Sequence, residues 1–176
     1  MSRAALNSRR PLPVAPRPFF QEVFGAWIGR IASCYRLTVR EFAQQMRLDL
    51  EGLLGGAGWL LLPAQSARTL ECLADLVRME PAELRAIEIP RAWSHRRSHY
   101  LYCSRCVFLN PEDVASPYWK RSWIDPAVEI CEVHASPLHA IPSSRVRTSL
   151  NLSRLLAQVG RYEREPKGDK HDPILR

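Results

Sequence analysis

Two short pairs, Cys103-Ser-Arg-Cys106 and Cys131-Glu-Val-His134, constrain this chain more than anything else in it. Each places two metal-binding side chains three positions apart, the spacing of a tight knuckle in which both converge on one ion. The pairs stand 24 residues apart and together offer three thiols and one imidazole. Four protein donors complete a tetrahedron around Zn²⁺ and leave no position for water. The pattern therefore predicts one structural zinc held by Cys103, Cys106, Cys131 and His134, not a catalytic one. The competing reading treats the four as unrelated core and surface groups, but two correctly spaced half-sites arise by chance far less often than one. His99 is a rival ligand four residues before Cys103, yet Cys131 and His134 already complete the set.

Between the half-sites runs Pro117-Tyr118-Trp119-Lys120-Arg121-Ser122-Trp123. A small zinc module has little core of its own, so large rings such as Tyr118, Trp119 and Trp123 are expected to cover the metal. Val128 and Ile130 alternate with polar neighbours, as a half-buried strand entering the second knuckle would.

At 176 residues the chain supports one domain with a good core or two small modules sharing an interface. A formal charge of +7 favours a polyanionic partner. Five Cys at metal-type spacing suit a reducing compartment such as the cytoplasm better than a disulfide scaffold. Cys34 and Cys72 fall inside apolar helical patterns and read as small core residues. No apolar run reaches about 18 residues, so no membrane span is expected.

The first 18 residues hold several Arg and four Pro, an extended flexible arm. Residues 19–90 read as helices. Phe20, Phe24, Trp27, Ile28 and Ile31 form one helical stripe from Phe19 to Tyr35. Thr38-Val-Arg-Glu41 then forms a capping box that restarts a helix to about Met46. A second pair follows, Ser66 to Met79 and Pro81 to Ile89, with Pro81 at a favoured first position. Each pair reads as helix-turn-helix-like. Residues 91–142 are the zinc module, a helix is expected in 143–162, and 163–176 read as a charged, mobile tail. The predicted fold class is thus mostly α, with helix-turn-helix-like pairs and a small zinc-finger module.

These segments resemble the TniQ family, the targeting adaptors of heteromeric DNA transposons. The family pattern has a Cys-x2-Cys knuckle, a Pro-Tyr-x-Arg-x-x-Trp stretch, and a Cys-Pro-x-His knuckle followed by Pro-Leu. This chain matches it with Cys103-Ser-Arg-Cys106, Pro117 to Trp123, Cys131 to His134 and Pro137-Leu138. It departs at Glu132 in place of Pro, at Ala135 in place of a frequent Gly, and at the shifted basic pair Lys120-Arg121. The N-terminal string Glu22 to Arg30 with Leu37 to Phe42 resembles the family's acidic residue, Trp-Leu-x-Arg core and Leu-Ser restart. There Gly25-Ala26 replaces a small polar pair. The resemblance covers roughly residues 16 to 140. It implies an accessory protein that helps select the insertion site. Such a protein bridges DNA, or a guide-RNA-containing targeting complex, to an AAA+ transposition ATPase.

The restart helix offers Arg40, Gln44 and Arg47 at i, i+4 and i+7, residue types that pair with guanine and adenine edges. The same residues also fit a plain solvated face. The second pair's Glu83, Arg85 and Glu88 would repel phosphate and suit a protein partner. Arg96, Arg97, Lys120 and Arg121, with Trp93 among them, are candidates for phosphate contact. Zinc deaminases use His-x-Glu with Pro-Cys-x-x-Cys; here Tyr102 stands where the Pro would be, and no His-x-Glu precedes the knuckle. No Gly-rich phosphate loop follows a strand. The chain therefore reads as no enzyme. The alternative function is a free-standing zinc-stabilised helix-turn-helix transcription regulator, which would bind a two-fold symmetric operator alone.

Overall fold

Helix α1 (Phe24–Cys34) is the axis of the molecule, buried at every residue from Phe24 to Ala32. An α-helix apolar around most of its circumference must be covered on all sides, and the rest of the chain covers this one. The computed structural model describes residues 10–53, 58–95, 97–108 and 117–165. Among these, α1 is followed by α2 (Val39–Gln45), α3 (Ala67–Val77) and α4 (Pro81–Ala86). Then come β1 (His99–Tyr102), α5 (Ser104–Phe108), β2 (Ile130–Cys131), β3 (Ser136–Pro137), β4 (His139–Pro142), α6 (Ser143–Thr148) and α7 (Leu152–Arg164). The architecture is mostly α with a small knuckle module, as the sequence predicts.

Local chemistry fixes the helix ends. The Thr38 hydroxyl accepts from the Glu41 N–H at 3.0 Å, and the Glu41 carboxylate accepts from the Thr38 N–H at 2.8 Å. Those two bonds close the expected capping box. Ser66 caps α3, and Pro81 opens α4. Helix α1 closes with Arg36 N–H on the Ser33 carbonyl and Leu37 N–H on the Ala32 carbonyl, Arg36 standing at φ 58°. Helix α2 closes the same way on Arg47 at φ 50°, and α3 on Arg78 at φ 56°. This left-handed closure usually recruits glycine; here three arginines occupy it.

The N-terminal boundary corrects the sequence reading. The helix starts at Phe24, not Phe19, because the preceding backbone is committed to pairing with the module. Val23 N–H donates to the Trp119 carbonyl at 3.0 Å, and Arg121 N–H donates to the Gln21 carbonyl at 2.7 Å. Gln21 turns through φ 60°, which swings Phe20 out to 85% exposure, so it leaves the expected stripe. Residues 10–18 are not a free arm either: Leu12 is buried, its N–H donates to the Leu76 carbonyl, and Tyr35 hydroxyl bonds the Val14 backbone. Residues 1–9 lie outside the described residues.

Three further expectations change. Helix α4 ends at Ala86, and Glu88 is buried instead of exposed, accepting the Gln65 N–H at 2.6 Å. Burial lifts its carboxyl above the ordinary range. Cys34 is exposed, because the last turn of α1 faces outward. At the C-terminal end one expected helix is two, α6 and α7, and α7 runs past 162 to Arg164.

The buried residues form one cluster running from Leu12 to Val159, so helices and knuckle module share a core. Trp59 is its wedge. A 3-10 turn over Trp59–Leu61 lies against α1, and the Trp59 indole N–H donates to the buried Ser149 carbonyl at 2.7 Å. Gly25 and Gly29 make room for it: a Cβ at Gly29 would stand 2.6 Å from the Trp59 ring. At Gly25 a Cβ would overlap the Trp59 and Leu60 carbonyls. Gly25→Ala should therefore destabilise the chain by about 1–3 kcal/mol through overpacking. Thermal unfolding should register this as a fall of several degrees, since about 1 kcal/mol moves a chain of this size by roughly 2–4 °C.

Candidate metal centre

Strand pairing assembles the four donors from both half-sites. β1 pairs antiparallel with β4, Tyr102 facing His139 and His99 facing Pro142, so Cys103 emerges beside the second knuckle. Tyr100, Tyr102 and Ile141 point into the core and anchor that sheet. Helix α5 starts directly after Cys103 and returns Cys106 toward it within one turn. The second knuckle is the tip of the β2–β3 hairpin, with Cys131 facing Ser136 and Ala135 N–H donating to the Cys131 carbonyl at 2.8 Å.

The result is a compact tetrad. The donor atoms of Cys103, Cys106, Cys131 and His134 all lie within 4.8 Å of one another. His134 Nδ1 stands 3.5, 3.3 and 3.7 Å from the sulfurs of Cys103, Cys106 and Cys131, and the Cys106 and Cys131 sulfurs are 3.7 Å apart. A tetrahedral ion with metal–sulfur bonds of about 2.3 Å and a metal–nitrogen bond of about 2.0 Å requires roughly 3.5–3.8 Å between ligand atoms. The four separations of 3.3–3.7 Å lie close to that range, so the cluster can hold one metal ion. Cys103 and Cys131 are buried, Cys106 and His134 half-buried.

Electrostatics point the same way. Burial and the neighbouring thiols of Cys131 and Cys103 push the Cys106 thiol up to about 12. Burial also opposes ionisation of Cys131, but backbone N–H groups of His134 and Val133 aimed at its sulfur bring it below the ordinary thiol range. Three thiolates this close repel one another unless a cation sits among them. The Val133 and His134 amides are donors that no spacing argument could have named.

Two of the three rings expected to cover the metal lie in the shared core. Trp119 and Trp123 are fully buried, edge to face at 5.9 Å, and Tyr102 meets Trp119 at 5.8 Å. Tyr118 stacks at 4.8 Å on Phe19 of the N-terminal segment. Ile130 is 59% exposed, so its strand turns the apolar face outward. Glu163, from the end of α7, accepts the Tyr102 hydroxyl at 2.7 Å and lies 2.8 Å from His139 Nδ1. This brace ties the last helix to the strand that delivers Cys103, and nothing in the sequence pattern announces it.

The basic candidates fall into three groups. Arg40 and Gln44 are exposed on α2, while Arg47 is exposed beyond its end, off the helical stripe, because the helix closes at Gln45. Arg97 is half-buried and donates to the Trp93 and Ile124 carbonyls at 3.1 and 2.5 Å. Lys120 lies 3.9 Å from Glu132, and Arg121 donates to the Ala86 carbonyl and sits 5.9 Å over the Trp93 ring. Arg96 is outside the described residues. No described helix is long and apolar enough to cross a membrane.

A helical protein whose small Cys₃His knuckle shares its core with two helix pairs is the class defined by this geometry. The family model TniQ matches residues 13–138, both helix pairs and both half-sites included, and the chain belongs to that family. Membership connects it with DNA transposition, in a family of non-catalytic accessory domains. No curated protein and no solved structure matches it.

Elemental analysis of the purified chain should return one metal ion per molecule. Cys131→Ser should lose it together with soluble, cooperatively folded protein, because structural sites of this kind supply about 10–16 kcal/mol of apparent binding energy. Ala135 stands at φ 46°, which explains why glycine suits that position. Ala135→Gly should relieve about 1 kcal/mol of left-handed strain, visible as a melting temperature raised by roughly 2–4 °C.

Proposed function

We propose that this protein is a transposition accessory factor that helps choose the insertion site by bridging a targeting element to an AAA+ transposition ATPase. The match of the family model across residues 13–138 carries that reading. The shared core supports it mechanically. A bridge works by holding two surfaces at a fixed orientation, and rigid presentation lowers the ordering cost of association. The targeting element is DNA itself or a guide-RNA-containing complex in the bacterial cytoplasm. The metal is zinc with a purely structural role, since three thiolates and one imidazole leave no open position for substrate. The protein is accordingly no enzyme.

Arg40, Gln44 and Arg47 are the DNA-facing candidates of the first pair, whereas Arg97 and Lys120 have partners within the module and Arg121 reaches the Ala86 carbonyl of α4. Glu83 and Arg85 are exposed on α4, and Arg17 reaches Glu83 at 3.5 Å. That mixed-charge surface suits a protein partner. The test is co-purification with the ATPase encoded in the same element, on DNA with nucleotide. The pair should associate, and Arg85→Glu should weaken it at least several-fold while leaving the melting temperature unchanged. A chain that never meets the ATPase yet protects a discrete symmetric operator alone is a transcription regulator instead.

A further inference from the structure

Helix α7 lies outside the segment matched by the family, and its outer face carries charge that neither the fold nor the metal centre uses. Leu152, Leu155 and Val159 bury its inner side. Arg154, Arg161 and Arg164 are exposed, and no described residue forms an ion pair with any of them. The helix's one acid, Glu163, is engaged with Tyr102 and His139, and Glu165 just beyond its end pairs with Arg145 at 2.7 Å. Arg161 and Arg164 lie in the last turns, where a cation suits the helix dipole. Arg154 lies in the first turn, where the dipole opposes it, so helix electrostatics do not account for it.

The N-terminal end of α7 is joined to the turn between α1 and α2. Ser33 accepts the Arg36 N–H on its carbonyl at 3.0 Å and the Ser153 N–H on its hydroxyl at 3.3 Å. Asn151 donates to the Leu37 carbonyl at 2.8 Å and caps the Arg154 N–H at 3.1 Å. Val39 N–H donates to the Leu150 carbonyl at 2.9 Å. These bonds gather Arg36, Arg40 and Arg154 around one seam, all exposed and without an ion pair among the described residues. Arg161 continues the line seven residues along the helix, about 10 Å further and some 20° round it. That length covers about three base-pair steps of one DNA strand at 3.4 Å each.

We propose that Arg36, Arg40, Arg154 and Arg161 form a track for the phosphate backbone of duplex DNA, read without regard to sequence. It extends the DNA-facing side of the function proposed above and rests on that reading for the choice of DNA. The track makes α7 a positioning element. It would hold the chain on the duplex whichever bases face α2.

The test uses the full chain with its metal bound and a random-sequence duplex, titrated across a salt series. A variant combining Arg36→Gly, Arg154→Gln and Arg161→Gln keeps the backbone closure of α1 and removes three contacts. Its slope of log K against log salt should shrink by about 2.7, at roughly 0.9 per contact, equally for unrelated sequences. A charge-matched control, Arg78→Gly with Arg68→Gln and Arg85→Gln, should shift it far less. Circular dichroism and metal content of both variants should match the parent. Equal losses in the two variants mean bulk charge alone and overturn the track. So does an unchanged slope, or binding confined to RNA duplexes or to anionic vesicles. ATPase co-purification reads the bridging function separately: if it fails while this slope change appears, the track stands and the bridge falls.

Discussion

Glu22 ties the two halves of the molecule together. Its carboxylate receives Arg30 Nε at 3.1 Å and Nη2 at 2.7 Å, plus the Phe19 N–H at 3.0 Å, while its backbone pairs antiparallel with Lys120. Arg30 in turn donates to the Arg17 carbonyl and lies 4.3 Å over the Phe19 ring. Burial raises the Glu22 carboxyl even though Arg30 opposes the shift, so the pair is held at a desolvation cost that three hydrogen bonds to the carboxylate offset. Such pairs add little net stability compared with an apolar replacement, while removing one partner alone costs about 3–5 kcal/mol. The role of the pair here is geometric. It sets the angle at which α1 enters the core and the register at which residues 19–23 meet residues 119–121.

That constraint explains which parts of the sequence were legible. The metal donors could be read because a knuckle is a local device: two ligands three residues apart need no knowledge of the fold. The Thr38 capping box and the Pro81 helix start were readable for the same reason. Glu22 and Arg30 were visible only as residues of a family pattern. One precedes α1 and the other sits within it, so helical periodicity does not pair them, and the pair forms because the turn at Phe20-Gln21 and the bridge to Lys120 place Glu22 beside Arg30.

The misreadings share one cause. Phe20 fits a helical stripe with Phe24 and Trp27, but tertiary pairing overrides the propensity of the first turn and turns the ring outward. Glu88 reads as surface because carboxylates normally are. It is buried because the Gln65 N–H supplies its partner, and Gln65 also binds the Glu51 backbone, fastening the 3-10 segment to α4. In each instance a long-range partner decides the environment, and no window of sequence contains it.

The family segment ends at residue 138, but the forces that position its four knuckle donors do not. β1, which delivers Cys103, is paired by β4, and β4 begins at His139. Trp59, which wedges against α1, needs the Ser149 carbonyl for its indole N–H; a buried donor left without it would cost about 1–3 kcal/mol. Glu163 closes the circuit by gripping Tyr102 and His139 at the end of the same strand pair. The C-terminal helices are therefore part of the frame that aims the knuckle. A surface on α7 moves as one body with the first helix pair, which allows charges on the two elements to act on a single rigid ligand.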